Sequence, residues 1–331
     1  GEPIKDVDVV IDVVGSGRDS EWFAKKIQRQ VTTATDLTVN NYGVAILTIK
    51  GQFNFDGQDL KDQVIEIANT RDESYGGEGG KGYKPSQVSP TDIRKDVERR
   101  EFNFNTLLWR LNDLSEGPEK AEVIDLTGCG LNDLSEGVIS CPKDPNIVFE
   151  DDPTRMIRLL KFVGRYGFRV PPDVREAVIS NADKITSVPQ NAISTILIRD
   201  IFNKPYARKV LDLMVELGLM DAIVKLAETD SEFESTISNA SKGFDKFLMA
   251  DLISRGYGDV FAPKGMRGEL GERYSRVILE MTEEEAERFS DCFNRPPIDN
   301  MEYIKRFNLK GPDRGLPMSI AKEFWLRSYL M

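Results

Sequence analysis

Two aspartates one residue apart, Asp6 and Asp8, interrupt the strand-like run "KDVDVV". Side chains at i and i+2 of a strand share a face, with Cα atoms roughly 6.5–7 Å apart. That spacing suits two carboxylates gripping one divalent cation or a close pair of them. It equally suits a solvated face alternating with buried Val7 and Val9, so the six residues alone leave both readings open.

Other groups in the chain carry chemistry of a different kind. In "DDPTRMIRLLKFVGRYGFR" (151–169), Arg155, Arg158, Lys161, Arg165 and Arg169 follow helical spacing, and no acid occurs between Pro153 and Pro172. The spacing predicts a basic stripe on one side of a helix capped by Asp151 or Asp152, suited to phosphates. The neighbouring face, Met156, Leu159, Leu160 and Val163, is apolar and can be buried. In "DVERREFNFNTLLW" (96–109), Arg99 and Arg100 adjoin Glu101, with Asn103 and Asn105 following. Guanidinium suits phosphate, while amide and carboxylate suit ribose hydroxyls. "DLTGCGLNDLSEGVISCP" places Gly128 and Gly130 close together, as at a hinge or tight turn.

Composition narrows the chemistry further. The 331 residues include no histidine, which excludes a Ser-His-Asp triad, an HExxH zinc site and imidazole acid/base catalysis. Three cysteines (Cys129, Cys141, Cys292) form neither a disulfide framework nor a CxxC spacing, and no run is apolar enough to span a membrane. A cytoplasmic location is the expectation. The net charge of −11 argues against nucleic acid when taken globally, but a global sum hides local basic patches.

The elements that must position these groups fall into two parts. Strands are expected at Val7–Val14, within "NNYGVAILTIKGQFNFDG", at "QVIEIANT" and at "AEVIDLTG", with a helix over Ser20–Thr33. "GGEGGKGYKPSQVSP" reads as a loop, and the repeated "LNDLSEG" (111–117 and 131–137) as two similar turns. "VGSGRD" (14–19) reads as a turn after the first strand. From about residue 150 helical periodicity dominates, as in "PYARKVLDLMVELGLMDAIVKL".

In order along the chain, five blocks resemble the class II tRNA nucleotidyltransferases, the family of CCA-adding enzymes and bacterial poly(A) polymerases. "KDVDVV" is similar to a metal-binding DxD strand and "TRDESYGG" to the start of a flexible loop. "RREFNFNTLLW" resembles RRDFTxNA, "DLTGCGLNDLSEGVI" a Gly-Gly hinge pattern, and "DDPTRMIRLLKFVGRYGF" an EDxxR motif with its neck helix. The resemblance covers residues 1 to about 225, and more weakly "FNLKGPDRGLPMSIAKEF" near the end.

The resemblance implies an α+β nucleotidyltransferase head with a mixed β-sheet, followed by an all-helical neck, body and tail. The expected bounds are 1–145 for the head, 146–205 for a neck that recognises the base, and 206–331 for an RNA-binding body and tail. It implies Mg2+ on Asp6 and Asp8, ribose and phosphates on Arg100, Glu101 and Asn105, and base recognition by Asp152 and Arg155. Arg158, Arg165 and Arg169 would serve nucleotide and RNA phosphates. Arg71 would belong to the flexible loop and Gly128 and Gly130 to the hinge. The implied reaction adds C, C and A to a tRNA 3′ end from CTP and ATP. A poly(A) polymerase, a partial CC- or A-adding enzyme and a non-catalytic RNA-binding remnant are the alternatives.

Three departures from the pattern stand out. The family's GG-x-x-x-RD turn should precede the DxD strand, yet the sequence starts at "GEPIKD", so the N-terminal part of the head is expected to be missing from it. Glu101 and Asp151 exchange acid types with the usual residues. No third acid is expected shortly before the RRD-like motif, since "SQVSPT" offers none.

Overall fold

The computed structural model describes residues 6–31, 33–55, 58–75, 84–110 and 120–262, with Glu272, Ser275 and Leu279; for Asp6 it describes the backbone alone. The stretch "FNLKGPDRGLPMSIAKEF", the first "LNDLSEG" copy and Cys292 lie outside the described residues.

In the first part, β1 (Asp6–Ile11) leads through a one-turn α1 (Val13–Ser16) into α2 (Ser20–Gln28). There follow β2 (Thr35–Val39), β3 (Ala45–Phe55), β4 (Gln58–Asn69), β5 (Arg71–Ser74) and β6 (Gln87–Pro90). The first four strands form a mixed sheet in the order β1-β4-β3-β2, in which β1 runs parallel to β4 and the other pairs are antiparallel. Strand alternation sorts the side chains. Val9, Ile11, Leu37, Ala45, Ile65 and Ile67 pack on Phe23, Ala24 and Ile27 of α2, leaving the opposite face for polar residues.

Several expectations shift here. β1 stops at Ile11 rather than Val14, because Asp12 caps α1 by accepting from Gly15 N. α2 ends at Gln28, five residues early. "GRD" does double duty: Gly17 takes a left-handed φ of 60°, and Asp19 caps α2 through Trp22 N. Part of the expected loop is a strand, since β6 pairs with β5 from Arg71↔Pro90 to Ser74↔Gln87. "AEVIDLTG" forms only the single bridge Leu108↔Ile124.

The remainder is helical: α3 (Ile93–Glu98), a tight turn Asn103–Thr106, α4 (Gly130–Glu136), α5 (Pro145–Asp151), α6 (Thr154–Tyr166) and α7 (Pro172–Asn181). α4 contains the second "LNDLSEG", which is thus a helix and not a turn. Beyond lie a tight turn Ala182–Ser187, α8 (Gln190–Ile196), a π-helical turn Leu197–Phe202, α9 (Ala207–Glu216), α10 (Leu219–Thr229), α11 (Ser231–Ala240), α12 (Lys246–Ser254) and α13 (Gly258–Phe261). The chain divides into two compact units: Gly1–Met156 with Gly167–Asn181, and Ile157–Tyr166 with the residues from Ala182 on. The second unit buries Phe202, Phe233, Phe261, Leu211 and Ile223 in its own core. No described helix is long and apolar enough to cross a membrane.

Candidate functional site

Asp6 and Asp8 lie on β1 in register with Val64 and Glu66 of β4. Registered partners on neighbouring strands share a face, so Asp8 and Glu66 project on the side of the sheet away from α2, and Asp6 holds the same strand parity as Asp8. Asp8 and Glu66 are both exposed. Glu66 was missed from sequence, although "VIEIA" carries the same signature as "VDVV": an acid between two aliphatics of a strand. Among the described residues no group of three or more His, Cys, Asp or Glu side chains forms a ready metal cluster.

A second constellation is buried and internally neutralised. Asp96 on α3 is fully enclosed. Its Oδ1 accepts from Arg71 N at 3.0 Å and from Arg99 Nε and Nη2 at 3.1 and 2.8 Å. Its Oδ2 accepts from Arg100 Nη2 at 3.3 Å. Asp96 lies three and four residues before Arg99 and Arg100, the helical spacing for ion pairs. Its role is to hold two guanidiniums and the start of β5. Burial would lower the pKa of Arg99, but the charges of Asp96 and Glu73 outweigh it and raise the pKa above its ordinary value.

Around this node the resemblance-derived residues assemble. Arg100 Nη1 donates to Asn105 O at 3.2 Å, and Asn105 Nδ2 donates to the buried Glu101 Oε1 at 3.0 Å. Arg155 is also buried, with Nη1 on Val148 O at 3.1 Å and Nη2 on Arg99 O at 3.0 Å. Its Nη2 also lies 3.4 Å from the Tyr75 hydroxyl, and its guanidinium stands 5.9 Å from the Tyr75 ring centre. Tyr75 donates to Glu73 Oε2 at 2.7 Å, and Glu73 Oε1 meets Arg71 at 2.7 Å and Arg99 at 3.4 Å. Burial, then the hydrogen bond to Glu73, pushes the Tyr75 hydroxyl well above its usual pKa, so it stays a donor. Asp152 Oδ2 is 3.7 Å from Arg155 Nε, while its Oδ1 accepts from Thr154 N and Oγ1 at 2.9 and 2.6 Å, capping α6 as expected. Tyr75 and Glu73 were likewise missed, though "TRDESY" places them one apart from each other on the loop's root.

The basic stripe does not form as a single stripe. Arg155 turns inward. α6 ends at Tyr166 and Gly167 has φ 73°, a left-handed stop, so Arg169 leaves the helix. It sits instead in main-chain contact with the hinge segment, Arg169 N on Gly137 O at 2.7 Å and Arg169 O accepting from Ile139 N at 3.0 Å. Arg158 and Arg165 are exposed on α6.

The Gly-rich turn before α4 is held by Asp125, which accepts from Thr127 Oγ1, Gly128 N and Leu131 N at 2.9, 2.9 and 3.0 Å. Burial would raise the Asp125 pKa, but these hydrogen bonds outweigh it and lower the carboxyl below the usual range. Gly128 has φ 72°. At Gly130 a Cβ would come 2.7 Å from Asn103 O, so α4 starts directly against the turn bearing Asn105. Asn103 Nδ2 donates to Ser140 Oγ at 2.5 Å, and Ser140 Oγ donates to Asp133 on α4. Burial pushes the Cys141 thiol up to about 12.

Comparison with known proteins finds relatives for the first part of the chain. Residues 1–140 match the Poly A polymerase head domain. A CCA-adding enzyme of Geobacillus sp. (strain WCH70) is 28% identical over 143 residues, covering 43% of this chain and 33% of that protein. Poly(A) polymerase I of Salmonella typhi is 28% identical over 135 residues, 38% of this chain and 27% of that protein. The chain thus spans a third or less of the length of these curated relatives. A solved structure described as a tRNA-processing enzyme with CTP shares the fold at TM-score 0.52 and 17% identity, covering 98% of this chain and 92% of that one. A tRNA nucleotidyltransferase solved with a primer tRNA and an incoming ATP analog gives TM-score 0.50 at 16% identity, covering 100% and 90%. The mixed sheet with a helical remainder shares its fold with these solved structures, and residues 1–140, less than half of the chain, are similar to the Poly A polymerase head domain, with both CCA-adding enzymes and poly(A) polymerases among the relatives.

Proposed function

We propose that the chain is a template-independent RNA nucleotidyltransferase that completes the 3′ end of tRNA with C, C and A, using CTP and ATP and releasing pyrophosphate. The observation that carries the reading is the partly buried network in which Asp96 holds Arg100, Asn105 donates to Glu101, and Arg155 lies beside Asp152 and donates to Arg99 O, since these are the residues the family resemblance assigns to phosphate, ribose and base. Arg100 would take phosphate, while Glu101 and Asn105 would take ribose hydroxyls. Asp152 can accept the exocyclic amino group that cytosine and adenine share, and Arg155 can donate to a ring nitrogen or the cytosine carbonyl. Uracil and guanine would turn a carbonyl toward a carboxylate, so C and A are admitted.

The donor set on the sheet also fits a hard divalent cation, being all carboxylate oxygen with Asp8 and Glu66 side by side in register. Asp6, Asp8 and Glu66 would hold Mg2+, which when bound neutralises the triphosphate and favours ionisation of the attacking 3′-hydroxyl. Arg158 and Arg165 would serve phosphates. Arg71, at the start of the flexible loop that the resemblance implies, and the turn with Gly128 and Gly130 would permit the rearrangement between C and A addition.

Extension of a tRNA ending at the discriminator base, with Mg2+ and CTP alone, ATP alone or both, tests the reading. Two C residues and then one A, with synthesis stopping there, is the expected product. Long A tails from ATP alone would establish the poly(A) alternative, which relatives such as poly(A) polymerase I keep open. Incorporation of C alone, or of A only after CC, would make it a partial enzyme. No incorporation, together with retained RNA binding, would establish the non-catalytic remnant.

A further inference from the structure

Glu101 and Asn105, the pair proposed to take ribose hydroxyls, flank a residue that the nucleotide site does not itself use. Asn103 opens the tight turn Asn103–Thr106 and is 4% exposed. It is clasped by the segment that follows α4. Its main-chain N donates to Ser140 O at 3.0 Å and its Nδ2 to Ser140 Oγ at 2.5 Å. Ser140 Oγ donates in turn to the buried Asp133 on α4, so a carboxylate, a hydroxyl and an amide form one chain of hydrogen bonds that polarise one another.

This clasp decides where Asn103 sits. Its Oδ1 is enclosed and has no hydrogen-bond partner among the described residues, so the amide is oriented from its donor end alone. The second acceptor for that end, Cys141 O, lies at 3.4 Å, near the limit of a hydrogen bond. Ser140 Oγ is therefore the main polar anchor of the side chain. The turn passes a shift of Asn103 on to its neighbours, because it is closed at three further points. Thr106 Oγ1 donates to Asn103 O at 2.6 Å, Asn105 N to Phe102 O at 3.0 Å, and Asn105 Nδ2 to Glu101 Oε1 at 3.0 Å. The clasping segment is itself anchored, since Ile139 N donates to Arg169 O at 3.0 Å.

We propose that Ser140 sets the preference for ribose over 2′-deoxyribose, as a positioning residue that acts through Asn103 on Glu101 and Asn105. The proposal rests on the reading of Glu101 and Asn105 as the ribose-binding pair and extends their support to a residue outside the RRD-like run. A hydrogen bond from a ribose hydroxyl tolerates only about 0.5 Å in length. A turn released from its clasp therefore loses the 2′-hydroxyl first. Phosphate binding is spared, because Arg100 has a separate anchor in Asp96.

The experiment measures the Kd of CTP and of 2′-deoxy-CTP for the full chain, without RNA. Wild type is expected to bind CTP more tightly. Ser140→Ala is expected to narrow that preference about 5-fold, the size of one neutral hydrogen bond, by weakening CTP and leaving 2′-deoxy-CTP unchanged. Ser140→Thr, which keeps the hydroxyl, is expected to retain the preference. In an Asn103→Leu background Ser140→Ala is expected to change nothing further, since its effect passes through Asn103. A preference retained in Ser140→Ala overturns the proposal and leaves the ribose assignment of Glu101 and Asn105 standing. Equal weakening of CTP and 2′-deoxy-CTP overturns it too, as the mark of a merely structural role. Equal affinities in the wild type would instead sink the assignment of Glu101 and Asn105 to ribose, and the proposal with it.

Discussion

Within the head, Asp8 and Glu66 stand exposed and side by side on one face of the sheet, while Asp96 and Glu73 are buried among arginines. Both pairs are acidic, but their surroundings differ. Like charges abreast on neighbouring strands oppose folding slightly, and under the proposed function they would hold a cation. Asp96 instead satisfies its two oxygens with Arg71 N, Arg99 and Arg100, so its charge is spent on geometry. The difference separates acids available for chemistry from acids that hold the chemistry in place.

Breaking the buried member should cost most in stability. Asp96→Ala leaves two guanidiniums without their shared partner, and breaking a buried pair typically costs about 3–5 kcal/mol. Denaturant unfolding is expected to show a loss of that order, with activity falling because Arg100 loses its anchor. Asp8→Ala should do the reverse: nucleotide incorporation drops on the order of 10^3-fold or more, as for loss of one strong electrostatic contact to the reacting centre, while the thermal midpoint stays or rises. A large fall in stability at Asp8 would erase the contrast between the two regions.

A third, smaller effect concerns the link between β5 and the start of α6. Tyr75→Phe removes the hydroxyl that bridges Glu73 and Arg155, at a cost of about 1 kcal/mol for such a bond. The sharper readout is the ratio of C to A incorporation, expected to shift because Arg155 keeps its two carbonyl anchors but loses one lateral restraint. An unchanged ratio would confine Tyr75 to packing.

The smallest predicted effect is titratable. Asp125 has a depressed pKa in the folded protein, so its stabilisation is present above its unfolded pKa, about 4, and lost as pH falls through the lower folded value. The stability difference between wild type and Asp125→Asn should therefore be present at pH 7 and shrink on acidification below about 4. A difference that is constant with pH would remove the carboxylate's charge from the account of the turn before α4.

Much of the fold was legible because it rests on periodicity. Alternation set Val7 and Val9 on one face of β1, of which Val9 packs against α2 while Val7, near the strand's start, is exposed, and 3.6-residue spacing placed Met156, Leu159 and Leu160 at buried positions of α6. The second "LNDLSEG" misled because its Asn, Asp, Ser and Gly favour turns locally, whereas tertiary contact with Asn103 and Ser140 makes it a helix. β6 was hidden in a Gly- and Pro-rich run because its pairing with β5 spans residues far apart in sequence.

The candidate site divides along the same line. Residue types and order by themselves determined the DxD strand, the RRD-like run and the capped start of α6, since each is encoded within a few neighbours. They also excluded imidazole chemistry outright, because no histidine is present. Only the tertiary structure decided that Glu66 stands beside Asp8, that Asp96 gathers Arg71, Arg99 and Arg100, and that Arg155 is buried while Arg169 leaves the helix. Those outcomes depend on strand register, on burial that forces charges to pair, and on a left-handed glycine ending α6. All three are set by contacts between segments distant in the chain or by backbone winding, which side-chain spacing does not carry.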